Sequence, residues 1–235
     1  MTEEIRELIA STGPVPFERF MELALYGAEG FYTKVDGGSA GRRGDFITSP
    51  EVGPLFGSVI ARYLDAEWER IGRPDPFTVV DAGAGPGTLA RSVLAAAPDC
   101  LGALRYVAVE VSEPQRLRHP DGVESRADLP GEPFEGVVIA NELLDNLPFR
   151  LAVFDGAWRE AFVDANADGR FVERLSASFD PAPACLPATG AFGARAPLVD
   201  RAAALVEGAR RLVRSGSVVM VDYGTPLTAM LAGRP

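Results

Sequence analysis

The segment Asp81-Ala82-Gly83-Ala84-Gly85-Pro86-Gly87-Thr88 sets glycines at alternate positions between an apolar β-branched run and a stretch of helical spacing. Glycines at such a junction let the backbone approach a ligand closely, and the start of a helix presents unpaired N–H groups, so a bound small molecule is implied. The dinucleotide fingerprint would put a third glycine at position 88, in register with Gly83 and Gly85. Thr88 stands there instead, and the G-x-G-x-G spacing favours S-adenosyl-L-methionine over a nicotinamide cofactor. Glu110 closes the next apolar run, where a carboxylate can accept both ribose hydroxyl protons. Asp128, after a third run, is a candidate acceptor for the adenine amine. The fourth run leads into Asn141-Glu142-Leu143-Leu144-Asp145-Asn146, where open α/β sheets place their reacting groups. Glu142 and Asp145 are three apart, so a helical turn would set both carboxylates on one side, able to hold a cationic or hydrogen-bond-donating nucleophile.

Much other chemistry is excluded by what surrounds these residues. His119 is the sole histidine, in the polar stretch RLRHPDG, so neither a histidine triad nor a multi-histidine metal site can be assembled, and no metal is expected. Cys100 and Cys185 lack CxxC spacing and are expected to be inert, buried or part-buried thiols without a disulfide. Counting 23 Lys+Arg against 33 Asp+Glu gives a net charge of -10, which opposes a phosphate backbone, and nucleic acid is not an expected partner. The apolar runs stop far short of the ~20 residues of a membrane span. The start, MTEEIRELIA, is acidic where leaders are basic, so no membrane partner and a cytoplasmic location are expected.

The elements that must position the candidates divide at about residue 76. Residues 1–76 have helical spacing: Ile5, Leu8 and Ile9 after Thr2, then Phe17 to Leu25 after Pro16, then Leu55 to Ile71. Between the last two, residues 30–53 carry too many glycines for a regular element and form a long shaped loop. From residue 77 onward, short β-branched runs alternate with helical ones, the pattern of a parallel α/β sheet covered on both faces. Residues 150–179 alternate apolar and polar around Asp155-Gly156 and Asp168-Gly169, as inserted antiparallel hairpins do. A Pro- and Ala-rich stretch follows at 181–197. A helical stripe then starts at Leu198, and a fifth parallel strand is expected in SVVMVDYG.

The segments FERFMELALYGAEGFYT (17–33), GDFITSPEVGPLFG (44–57), VVDAGAGPGTLA (79–90), YVAVEVSEPQR (106–116) and IANELLDNLPFR (139–150) resemble, in family order, those of the MidA-like methyltransferases. These are relatives of the mitochondrial arginine methyltransferase that assists assembly of respiratory complex I. The resemblance implies a class I, Rossmann-like methyltransferase sheet behind a helical N-terminal region, S-adenosyl-L-methionine as cofactor, and arginine of a protein substrate as acceptor. It also implies that Gly83, Gly85 and Gly87 face the methionine part and Glu110 the ribose. Gly44, Asp45, Phe46 and Thr48 would line the same cleft, and Asn141, Glu142 and Asp145 would meet the acceptor. Family chains continue beyond the fifth strand, so the expectation here is a sheet lacking its last strands. Val218 to Val221 would then be an apolar edge prone to self-association. A small-molecule methyltransferase and a catalytically idle binding protein remain open as alternatives.

Overall fold

The computed structural model describes residues 2–33, 53–224 and 228–233. Helix α1 (Thr2–Thr12), a two-residue strand β1 (Val15–Pro16) and α2 (Phe17–Tyr26) open the chain, and α3 (Pro54–Arg70) follows the segment outside the described residues. The next elements are β2 (Phe77–Ala82), α4 (Thr88–Ala95), β3 (Leu104–Val109), the short α5 (Glu113–Arg116), β4 (Glu124–Arg126) and β5 (Phe134–Asn141). Strands β6 (Arg150–Phe154), β7 (Trp158–Ala165), β8 (Phe171–Ser178) and β9 (Arg195–Leu198) precede α6 (Asp200–Leu212) and β10 (Val213–Val221). Among the described residues no helix is long and apolar enough to cross a membrane.

Contacts group the chain into two compact units, one of Met1–Gly30, Asp145–Ala203 and Tyr223–Pro235, the other of Phe31–Leu144 and Ala204–Asp222. This division differs from the boundary at residue 76 expected from sequence. The first thirty residues cluster with the hairpin segment, and α3 clusters with the strands that follow it.

The second unit holds a five-stranded sheet of order β10-β5-β2-β3-β4, with every pairing parallel. Alternate residues feed two faces, as the pleat requires. Phe77, Val79, Tyr106, Val137 and Ile139 pack with Ile60 and Leu64 of α3 and Leu89 and Val93 of α4. Val80, Val107, Val109 and Val138 pack on the opposite face with Ala209. Burial on both faces explains why these strands read as unbroken apolar runs. From β2 the chain fills one side of the sheet with β3 and β4 and then crosses to β5 on the other, so the topological switch lies between β2 and β5. The crevice outside their carboxyl ends is where open α/β sheets hold ligands.

The first unit is built on an antiparallel sheet of order β1-β7-β6-β9, with β8 on the free side of β7. Gly156 and Gly169 take positive φ (104° and 74°) in the hairpin turns, as the Asp-Gly pairs required. Ile5 and Ile9 of α1 and Leu23 of α2 pack with Val15 and Val163. Strand β9 was not expected. Its Pro197 lacks a donor, which hides a strand in a sequence scan, but among the described residues β9 pairs with β6 alone, as an edge strand does, and tolerates the loss. Leu198 accordingly ends a strand rather than opening the helical stripe, which starts at Asp200.

Candidate active site

The turn after β2 is shaped by three glycines in the left-handed region, Gly83 (φ 72°), Gly85 (54°) and Gly87 (79°). Residues with a Cβ pay roughly 1–2 kcal/mol there, which is why the alternating glycines were informative. A Cβ on Gly83 would stand 2.6 Å from Leu143 Cδ1, and one on Gly87 3.2 Å from His119 Cδ2. The turn therefore lies against both the segment after β5 and the segment after α5. Thr88 is the first residue of α4, behind Gly87 as its left-handed cap.

Glu110 stands just past β3 and is 8% exposed. Its Oε2 accepts the Gly85 N–H at 3.0 Å and its Oε1 the Ser112 N–H at 2.8 Å. Burial pushes its carboxyl above the usual range, and those two backbone donors oppose the shift. Each oxygen keeps a further lone pair, so the geometry still allows ribose hydroxyls to donate. Asp81, at the end of β2, is buried and accepts the Tyr106 hydroxyl at 3.0 Å. Burial raises its carboxyl to about 7, the Tyr106 bond lowers it, and the Glu110 charge raises it again. Asp81 thus lies beneath the turn rather than on its open side.

At the carboxyl end of β5, Asn141 Oδ1 is buried and has no hydrogen-bond partner among the described residues. A shielded acceptor beside the topological switch fits a ligand that donates a hydrogen bond. Glu142 follows with φ 49°, and its N–H bonds to the Val221 carbonyl at 2.8 Å. The Leu144 N–H bonds to Asp222 Oδ2 at 2.9 Å, so the end of β10 braces the segment carrying Glu142. No helical turn joins Glu142 to Asp145, contrary to expectation, because the left-handed residue diverts the chain there. Asp145 belongs to the other unit, in a 3-10 turn, Leu144–Asn146, where its carboxylate accepts the Tyr223 hydroxyl.

Asp128 is exposed, two residues past β4. Gly44, Asp45, Phe46 and Thr48 lie outside the described residues. Cys100 is buried and its thiol is pushed up to about 12, chiefly by burial, whereas Cys185 is exposed and not part-buried as expected. Sequence reasoning missed His119, Tyr106, Val111 and Asp222. Only Val111 carried a signal: it is a large apolar residue directly after Glu110, and it is 61% exposed at the ligand end of the sheet. Such a side chain offers apolar support for a base.

A glycine-rich turn, a ribose-ready carboxylate and a buried acceptor with no partner among the described residues together fit S-adenosyl-L-methionine. The Methyltransf_28 family model, which describes S-adenosyl-L-methionine-dependent methyltransferases, matches residues 59–234. The Drosophila melanogaster protein named protein arginine methyltransferase NDUFAF7 homolog, mitochondrial, is 33% identical over 202 residues, 72% of this chain and 46% of its own. The Mus musculus protein arginine methyltransferase NDUFAF7, mitochondrial, is 26% identical, covering 95% of this chain and 60% of its own. A COG1565 superfamily member from Burkholderia thailandensis, solved bound to S-adenosyl-homocysteine, has a TM-score of 0.83 and 32% identity across 95% of this chain and 62% of that one. The chain therefore spans between 46% and 62% of the length of these three relatives. With the family model running from within α3 to residue 234 over the same sheet and glycine turn, this chain belongs to the Methyltransf_28 family of S-adenosyl-L-methionine-dependent methyltransferases.

Proposed function

We propose that this protein transfers a methyl group from S-adenosyl-L-methionine to an arginine of a protein substrate. The observation that carries the cofactor half is the glycine turn tied through the Gly85 N–H to Glu110 at the switch point of the sheet. The acceptor half is supported by the fly and mouse relatives, both named protein arginine methyltransferases. When bound, the cofactor supplies an electrophilic methyl group on a sulfonium. This chain's residues bind and orient. Gly83 to Gly87 would lie along the methionine part, Glu110 would take the ribose hydroxyls, Val111 would support the adenine and Asp128 would reach its amine.

Methyl transfer to a guanidinium needs that cation held by carboxylates, which align the attacking nitrogen and draw charge away from it. Glu142, braced by Val221 and Asp222, is the residue of this unit proposed for that role, with Asn141 as a neutral acceptor. A net charge of -10 favours approach of an arginine-bearing partner. The test is transfer of labelled methyl from the cofactor to candidate proteins, with the product arginine read by mass spectrometry. Glu142→Gln is expected to lower turnover by roughly a hundredfold while leaving S-adenosylhomocysteine affinity within about twofold. Full turnover in that variant removes Glu142 from the mechanism, and transfer to small molecules alone overturns the arginine assignment.

Self-association and a cytoplasmic location also stand as proposals. Among the described residues β10 pairs with β5 alone, and a strand edge of that kind recruits another chain. Sedimentation of the 235-residue chain is expected to show a dimer or larger species; a monomer at all concentrations ends the edge argument. Location, for which the named relatives are mitochondrial, is decided by cell fractionation.

A further inference from the structure

His119 drew no function from its sequence context, yet it touches the turn that carries the cofactor half of the proposed reaction. Its Nε2 lies 2.9 Å from the Gly85 carbonyl oxygen and its Nδ1 2.9 Å from Ser125 Oγ. A carbonyl can only accept, so Nε2 carries the hydrogen, and in the neutral ring Nδ1 accepts from the Ser125 hydroxyl. We propose that His119 is a positioning residue that locks the Gly83–Gly87 turn into its ligand-ready shape by donating Nε2–H to the Gly85 carbonyl.

The rest of the turn shows why such a lock is needed. Three left-handed glycines in five residues have the largest conformational freedom to lose, so an unbraced turn would adopt many shapes before a ligand arrives. On the inner side the braces come from β3 and its end: the Gly83 and Ala84 N–H groups bond to the Val109 carbonyl at 2.9 and 3.0 Å, and the Gly85 N–H to Glu110. On the outer side they are His119 on the Gly85 carbonyl and Arg91 Nη1 on the Pro86 carbonyl at 2.8 Å. Arg91 also donates to the Arg118 carbonyl, which ties α4 to the residue next to the histidine. The approach is close: a Cβ on Gly87 would meet Pro120 Cδ at 3.0 Å as well as the imidazole. Gly85 is thereby held at both ends of its peptide, through its N–H by the carboxylate that would receive the ribose and through its carbonyl by the imidazole. Burial, with Arg91 and Arg116 nearby, holds the ring's pKa below the usual histidine value, while the Gly85 bond acts the other way. Both protonation states keep a hydrogen on Nε2, so the donor to the Gly85 carbonyl is present in either.

This inference rests on the cofactor reading, and the experiment separates the two. S-adenosylhomocysteine is titrated calorimetrically into the whole chain and into His119→Ala, His119→Gln and Ser125→Ala, with hydrogen exchange of the turn amides followed in the ligand-free proteins. His119→Ala is expected to weaken binding roughly tenfold and to speed exchange at Gly83 to Gly87, the size of effect expected for one lost hydrogen bond to an ordered loop. His119→Gln, whose amide can still donate to the Gly85 carbonyl, is expected to recover most of both losses. Ser125→Ala leaves the Nε2 donor in place and is expected to stay within about twofold of the parent, and His119→Gln keeps the test decisive should His119→Ala unfold. Wild-type affinity and exchange in His119→Ala, or a glutamine variant no better than alanine, overturns the lock while the cofactor reading stands. No binding by the folded parent chain overturns both.

Discussion

A single buried carboxylate makes the site's residue-scale chemistry measurable without any substrate. Asp81 is held near pKa 7, whereas in an unfolded chain it titrates at about 4. Between those values the native protein keeps a proton that the unfolded chain has released. The contribution to stability is therefore complete below about pH 4 and lost as pH rises through about 7, with a ceiling on the order of 4 kcal/mol. Thermal unfolding of the parent chain and of Asp81→Asn across this window should show the parent losing more stability with rising pH. Parallel curves would mean that Asp81 is ionised in the native state. The motif around Asp81 was legible because glycine spacing and strand-end position are written in residue types. The role of Asp81 beneath the turn was not, because it depends on Tyr106 from a neighbouring strand. The same limit applies to Glu142, whose left-handed backbone arises from bonds to β10 some eighty residues later.

At the scale of elements, the close packing of three strands rests on two glycines that sequence did not single out. Thr78, Gly136 and Gly216 stand in register across β2, β5 and β10. Gly136 has φ 148°, and a Cβ on it would fall 1.8 Å from the Thr78 carbonyl oxygen. A Cβ on Gly216 would fall 1.7 Å from that of Gly136. Gly136→Ala should therefore destabilise the chain by more than about 2 kcal/mol in chemical unfolding, well beyond the cost of an ordinary surface substitution. Stability equal to the parent would show that the strands do not approach this closely. The apolar parallel strands β2, β3, β5 and β10 and both hairpins were readable from β-branched runs and Asp-Gly pairs, because the pleat and turn geometry select those residues directly. Strand β9 was not, because its pairing with β6 is a long-range choice made by a segment whose own residues disfavour it.

Across the whole molecule, the sequence could identify the ligand-bearing sheet but not the grouping of the chain. That the first thirty residues cluster with 145–203 follows from contacts such as those of Ile5 and Leu23 with Val163, which no local pattern announces. The net charge of -10 and the parallel sheet point to a small-molecule cofactor rather than a polyanion, and the family match names that cofactor. The central claim is that the turn from Gly83 to Gly87 and Glu110 hold it. Calorimetric titration of the 235-residue chain with S-adenosylhomocysteine tests this most directly, alongside Gly85→Val, in which a β-branched residue is forced to φ 54°. Saturable one-site binding to the parent, weakened at least a hundredfold in a variant that still folds, is the predicted result. Absence of binding by the folded parent, or undiminished binding by the variant, would contradict it.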